Sequence, residues 1–463
     1  MGLRQALLIV GLALWLPIAM GQSSPSTAAT PGKVEISFAR FFGSCEADFG
    51  TSTDPNTATG ECGIITALTN QFNATNRHGV VVRTQVIEHG AYYSQLGARI
   101  VSRDLPAIVI LHSSVLNDFA KRQLLEPLDR GFAEVGIATA DFTPQAERAV
   151  AIGGMYYALP FDTHSWLWHV NLNLLKRAGL TAADGRAVVP RSAAELLTQA
   201  RQFKAATGKP YFIMLTVNDA QAFSRTILTL VRQQGGTLFP RTAFEIDLRG
   251  KPLRDAIELL RVLYDEGLAS HGHDYAGGVQ AFIKGEGGVM INGTWLIGDL
   301  HKQAGIRGAA LEAGYATLPF PTLYAQPAVW ADNHVMVMPR GGTPNAASRL
   351  AALRFLKFLY DEGGAWARTG QLPTRTSVID GASFLALPFR REIAPIVQTG
   401  AALPLAVARQ SRVTNALGDG AASIIVHGAP VDKTLERLER NVTRMLVRDS
   451  QFTGGQAAAP GSP

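Results

Sequence analysis

With 463 residues, 47% of them hydrophobic, the chain is long enough for two cores and too apolar for a disordered protein. Its 43 Lys+Arg and 37 Asp+Glu give a formal charge of +6, scattered along the sequence without a basic run interleaved with aromatics. That distribution argues against a nucleic-acid binder and implies only a general attraction to anionic surfaces.

The N-terminus holds the one membrane-like segment. Arg4 precedes the apolar run Ala6–Met20, which breaks at Pro17 and ends in the small-x-small pattern Ala19-Met20-Gly21. The run is short for a membrane span, so residues 1–21 are expected to be a secretory signal peptide cleaved before Gln22. No Cys lies at that site to carry a lipid, so the expected location is the periplasm, without a lipid anchor. Residues 22–33, rich in Ser, Thr, Ala and Pro, are expected to be a flexible leader, and residues 453–463 a disordered tail. In an exported chain the two cysteines, Cys45 and Cys62, are most simply a disulfide closing a loop of turn formers.

Past the leader, 34–38 alternates as a strand, with Phe41-Phe42-Gly43-Ser44 at its carboxyl end. Helical spacing over 63–76 puts Ile64, Leu68 and Phe72 on one face. A strand over 80–87, a helix over 91–102 and the apolar run 106–111 complete a β-α-β-α-β order, which announces a parallel α/β lobe. His112-Ser113-Ser114 ends its third strand. Farther on, Ser192 with Glu195 predicts a capped helix over 192–207. A strand over 211–215, with Asn218 and Asp219 after it, and an amphipathic helix over 251–266 follow. The segment 279–300, VQAFIKGEGGVMINGTWLIGDL, predicts a helix ending at Gly285, a buried strand over 288–291, and Asn292-Gly293-Thr294-Trp295 opening another helix. A Trp at that strand-to-helix junction sets a flat apolar face where open α/β sheets bind ligands. Strands over 315–320 and 333–338 and a helix over 347–360 follow.

The pattern Phe282…Gly287-Gly288-Val289-Met290-Ile291-Asn292-Gly293-Thr294-Trp295 resembles the signature of bacterial extracellular solute-binding proteins, the maltose-binding-protein-like, sugar-binding class. Asn171-Leu172-Asn173-Leu174-Leu175-Lys176-Arg177-Ala178-Gly179, 228–238 and Gly370-Gln371-Leu372-Pro373 resemble further motifs of that class, in its order. His169-Val170 stands where a Tyr pair is common, and Ser192-Ala193 where Thr-Trp is usual. The resemblance implies an α/β, two-lobed periplasmic binding protein fold (type II-like) with a three-crossing hinge. The first lobe would be 34–161 plus 325–371, the second 162–319 plus 376–450, and 320–324 and 372–375 hinge crossings. It also implies a protein that captures a carbohydrate and delivers it to the membrane permease subunits of an ABC importer, without catalysis or cofactor, as a monomer.

Sugar recognition needs aromatic faces for pyranose C–H surfaces and directed polar groups for hydroxyls. The expected ligand residues are Phe42, Ser44, His112 and Ser113 from the first lobe; Asp162, His164 and Arg375 from the hinge; Asn292, Gly293 and Trp295 from the second lobe; and Trp330, Asp332 and Asn333 on the return strand. The same fold could take a polyamine or a phosphate ester, and a periplasmic glycan-acting hydrolase is the rival class. His271-Gly272-His273-Asp274 lacks further ligands, so no metal site is expected.

Overall fold

The computed structural model describes residues 33–452. The expected signal peptide, the tail and all of the leader but Lys33 lie outside the described residues. Eight strands form the main sheet: β1 (Val34–Arg40), β2 (Val80–Val86), β3 (Ile108–His112), β4 (Leu159–Asn171), β5 (Phe212–Ile213), β6 (Val289–Gly293), β7 (Tyr315–Pro319) and β8 (Ala331–Val337). Their order is β2-β1-β3-β8-β4-β6-β5, with β7 also paired to β4.

The 13-residue strand β4 is the spine, and all of its residues are buried. Its first half pairs antiparallel with β8, and its second half lies between β6 and β7. The change of partner falls at one peptide: Ser165 lies opposite Ala331, and Trp166 opposite Gly293. Hydrophobic packing divides at the same place. Phe161 packs into a core with β1, β2, β3 and β8, whereas Trp166 packs into a second core reaching Leu446.

Leu323, Val329 and Trp330 belong to that second core. Val335, Met336 and Val337, farther along β8, belong to the first core. Leu372 bridges to Thr163 of β4, so the last crossing lies against the spine as well.

In the first lobe, β1 pairs in parallel with both β2 and β3. Helices α1 (Gly60–Thr75) and α2 (Tyr92–Ser102) make the crossover connections, burying Ile64, Ile65, Leu68, Phe72, Tyr92 and Leu96. In the second lobe, Ser192 caps a helix over Ala193–Thr207 by accepting from the Glu195 N–H at 3.1 Å. The Glu195 carboxylate bonds the Arg191 N–H at 2.7 Å, one residue before the cap position that a capping box predicts. Helix α3 (Ala220–Gln233) is capped by Asp219 and packs against α4 (Gln410–Ile425). No helix among the described residues is long and apolar enough to cross a membrane.

Cys45 and Cys62 are bonded, joining the segment after β1 to the first turn of α1 across 17 residues. Replacing both by Ser is expected to lower the unfolding free energy by about 3 kcal/mol through the freed loop. Urea denaturation of the two proteins measures the difference.

Candidate functional site

The carboxyl ends of β1, β2 and β3 open on the groove between the lobes, where α/β sheets gather ligands. Two adjacent antiparallel strands cross this edge with the same three-residue pattern: Asp162-Thr163-His164 on β4 and Asp332-Asn333-His334 on β8. Their register sets His334 opposite Asp162 and Asp332 opposite His164. Side chains alternate along a strand, so both Asp and both His point to one face. Thr163 and Asn333 point to the other, where they bond each other at 2.9 Å and share Gln145. On the far side of β8, His112 lies opposite His334.

Asp162 has no solvent exposure. It accepts from Trp366 Nε1 (2.7 Å), from His334 Nδ1 (2.9 Å) and backbone N (3.3 Å), and from His164 Nδ1 (3.4 Å). Burial alone would raise its pKa, but the adjacent His334 and His164 hold it well below the ordinary carboxylate range. Burial opposes a charge on His334, yet Asp162 raises that ring above the usual histidine value. Burial and the neighbouring His334 lower His164, and the same two effects push His112 well down. Glu61, whose Oε1 accepts from Gln371 Nε2 at 2.6 Å, is pushed by burial up to about 7. Asp162 and His334 thus favour each other's charged forms, while burial works against a charge on His164 and His112.

The rings pack closely. His164 stacks on His334 with centroids 4.3 Å apart, and His112 stands 5.1 Å from His334 and 5.6 Å from His164. Phe41 stacks flat on His112 at 5.1 Å, and exposed His89 stands edge-on to both. Facing them, the second lobe offers Trp295, half-buried, with its ring 6.0 Å from His164 and its Nε1 bonded to Tyr275 OH at 2.8 Å. Arg225, on α3, places its guanidinium carbon 4.3 Å from the Trp330 centroid, 5.1 Å from Trp166 and 5.7 Å from Trp295. Its Nη2 bonds Gln221 at 2.5 Å, and its buried Nε has no partner among the described residues.

The structure thus brings together His112, Asp162, His164, Trp295, Trp330 and Asp332 of the expected set. Two more act behind them. The Ser113 hydroxyl donates to Asp332 at 2.5 Å, and Phe42 is buried with its ring 5.0 Å from both His334 and Trp366. Four of the expected residues are engaged by protein groups elsewhere. Asn333 is fully buried on the opposite face, as strand alternation requires. Asn292 is also fully buried, its Oδ1 accepting from the Gly293 N–H. Arg375 is held by Asp141 at 2.8 Å and the Tyr360 carbonyl at 3.1 Å. Exposed Ser44 donates to Glu46.

Gly293 serves as a seat rather than a contact: a Cβ there would stand 2.1 Å from the Trp295 ring. Asp219 caps α3, while Asp274 caps the following helix and His271 stacks on Tyr264 at 3.8 Å. Sequence reading missed His334, Glu61, Trp366, Arg225 and Tyr275. The repeated Asp-x-His was the available signal for His334; the others come from distant elements, with no local pattern to mark them.

Two α/β lobes sharing a spine strand, with aromatic and titratable groups facing each other across the groove, define a two-lobed periplasmic binding protein. The chain belongs to the bacterial extracellular solute-binding protein family, whose profile matches residues 63–366. It is similar in structure to the sugar-binding protein MalE of Xanthomonas citri (18% identity, 92% of this chain and 100% of that one, TM-score 0.74). It is also similar to the GacH receptor of Streptomyces glaucescens, solved unliganded and with acarbose (20%, 90% and 98%, 0.73). A third likeness is to UgpB of Mycobacterium tuberculosis, solved with glycerophosphocholine (20%, 90% and 100%, 0.72). At these identities the likeness carries the fold. No curated protein matches the chain in sequence.

Gly293→Ala is expected to push the Trp295 ring off its seat and break its bond to Tyr275. Tryptophan fluorescence should shift, while the urea midpoint moves by less than about 1 kcal/mol equivalent, because Trp295 borders the groove.

Proposed function

We propose that this protein captures a carbohydrate between its lobes and hands it to the membrane subunits of an ABC importer. The observation that carries the reading is the second-lobe wall: Trp295, half-buried on its glycine seat and tethered to Tyr275, beside Trp330. A ring held this way offers a flat face for pyranose C–H groups. Opposite it, His112, His89 and Asp332 supply directed polar atoms for hydroxyls. The closed arrangement is favoured by a solute that touches both walls, since only differential contacts shift such an equilibrium. We place the protein in the periplasm as a monomer, exported through a cleaved signal peptide without a lipid anchor, and performing no chemistry on its solute.

Arg225 favours a second form of the same reading, an acidic sugar or a sugar bearing a phosphate ester. Its half-buried guanidinium has an unpaired Nε against three Trp rings, and a solute anion would satisfy that donor. The same cation disfavours a polyamine, as does Asp162, whose carboxylate is already taken by His334 and Trp366.

A thermal-shift screen of neutral sugars, polyols, sugar acids and sugar phosphates tests this. Solute at 100 times its dissociation constant should add about 2.7 kcal/mol of stability. Trp295→Ala should weaken binding at least about tenfold, roughly 1.4 kcal/mol, and Arg225→Gln should weaken anionic solutes selectively. Shifts with polyamines alone, or turnover of a bound oligosaccharide, would refute the proposal.

A further inference from the structure

Three imidazoles meet on one face of the sheet from three neighbouring strands. His112 is the last residue of β3, His334 lies opposite it on β8, and His164 lies on β4. One ring nitrogen of each stands within 4.8 Å of those of the other two. The hydrogen bonds divide each ring in the same way. His112 Nδ1 pairs with Tyr93 OH at 2.7 Å, His334 Nδ1 with Asp162 at 2.9 Å, and His164 Nδ1 with the other Asp162 oxygen at 3.4 Å. None of the three Nε2 atoms has a hydrogen-bond partner among the described residues.

A packing role does not explain this arrangement. Each ring is fixed through one nitrogen, and the other, without a protein partner, is not among the sealed-off polar atoms of the core, so it remains open to a ligand. The arrangement does match the design of metal-binding histidines, in which a carboxylate or hydroxyl on one nitrogen fixes the ring and leaves the other nitrogen as the ligand. Ligand nitrogens at about 2.0–2.1 Å from a tetrahedral ion stand roughly 3.4 Å apart, and one ring nitrogen from each of these residues already lies within 4.8 Å of the others. Glu61, Asp162 and His334 also approach within 4.8 Å of one another. There, however, Asp162 is filled by its donors and Glu61 holds Gln371, so the imidazoles are the free set.

We propose that His112, His164 and His334 bind one divalent transition-metal ion of the zinc class through Nε2, with Tyr93 and Asp162 as positioning residues. Imidazole ligands suit zinc, copper, nickel and iron rather than magnesium or calcium. Three protein ligands leave a fourth position open. His112 is the half-buried member and His164 faces Trp295, so that position opens towards the second-lobe wall. An oxygen of the captured solute would complete the coordination, a step that rests on the solute-binding reading.

The test uses tag-free protein stripped with a chelator and titrated with Co2+, read by its ligand-field absorption, then displaced with Zn2+. The expected result is one equivalent with tetrahedral bands. His112→Ala and His334→Gln should each abolish them, and the surface pair His271→Ala/His273→Ala should leave them unchanged. Tyr93→Phe, which keeps the ring and removes only the partner of His112 Nδ1, should weaken binding by about 10–100-fold with an unaltered circular dichroism spectrum. Absence of bands in the parent protein, bands that persist in the His112 variant, or full affinity in Tyr93→Phe would overturn the site. Solutes are then added to the Co2+ form. A shift of the bands supports coordination, and equal solute affinity with and without metal overturns that step while leaving the site itself standing. A solute screen with no response at all, beside intact Co2+ binding, would refute the carbohydrate reading alone.

Discussion

A carboxylate removed from water costs several kcal/mol unless its oxygens are filled, and Asp162 meets that demand with donors from three elements. Two come from β8 through His334, one from β4 through His164, and one from Trp366, far away in sequence. The pairing fixes the register of β8 against β4, because a slip of one residue would turn every Asp and His to the other face and leave a buried charge unmatched. That register in turn places Asp332 beside His164 and His112 beside His334. The Asp and His groups of β4 and β8 are therefore held in place by one cross-strand pair.

The same strand that carries Asp162 also carries the transition between lobes. Within β4, His164 faces first-lobe rings, and two residues later Trp166 is already in the second core beneath Trp295 and Arg225. The distance along the chain between the polar floor and the aromatic wall is therefore short. Trp330, whose carbonyl accepts from the Ser165 hydroxyl at 2.8 Å, meets the spine at the same point, just before β8 begins.

Much of the fold was legible in the sequence because it rests on local pattern. The apolar run of β3, the amphipathic spacing of α1 and the glycine-bounded strand before Trp295 each show their surroundings over a few residues. The site was legible only in part. Asp162, His164 and Asp332 lie on strands, where the period of two gives their direction, but the same rule applied to Asn333 would have turned it away. Arg225 was hidden because an arginine on an amphipathic helix ordinarily faces solvent. Here three tryptophans, from β4, from the residue just before β8 and from the 294–296 turn, close around it. Glu61 and Trp366 reach the site only through the tertiary fold, and no spacing in the chain records that.

The most direct test of the account is a double-mutant cycle on the Asp162–His334 pair, using Asp162→Asn, His334→Gln and the combined variant in urea unfolding. A pair that sets the register and fills a buried carboxylate should show a coupling energy above about 1 kcal/mol, the double variant losing less than the two single losses together. Losses that add to within about 0.5 kcal/mol would contradict the account, making the two residues independent occupants of the groove rather than the pair on which it is built.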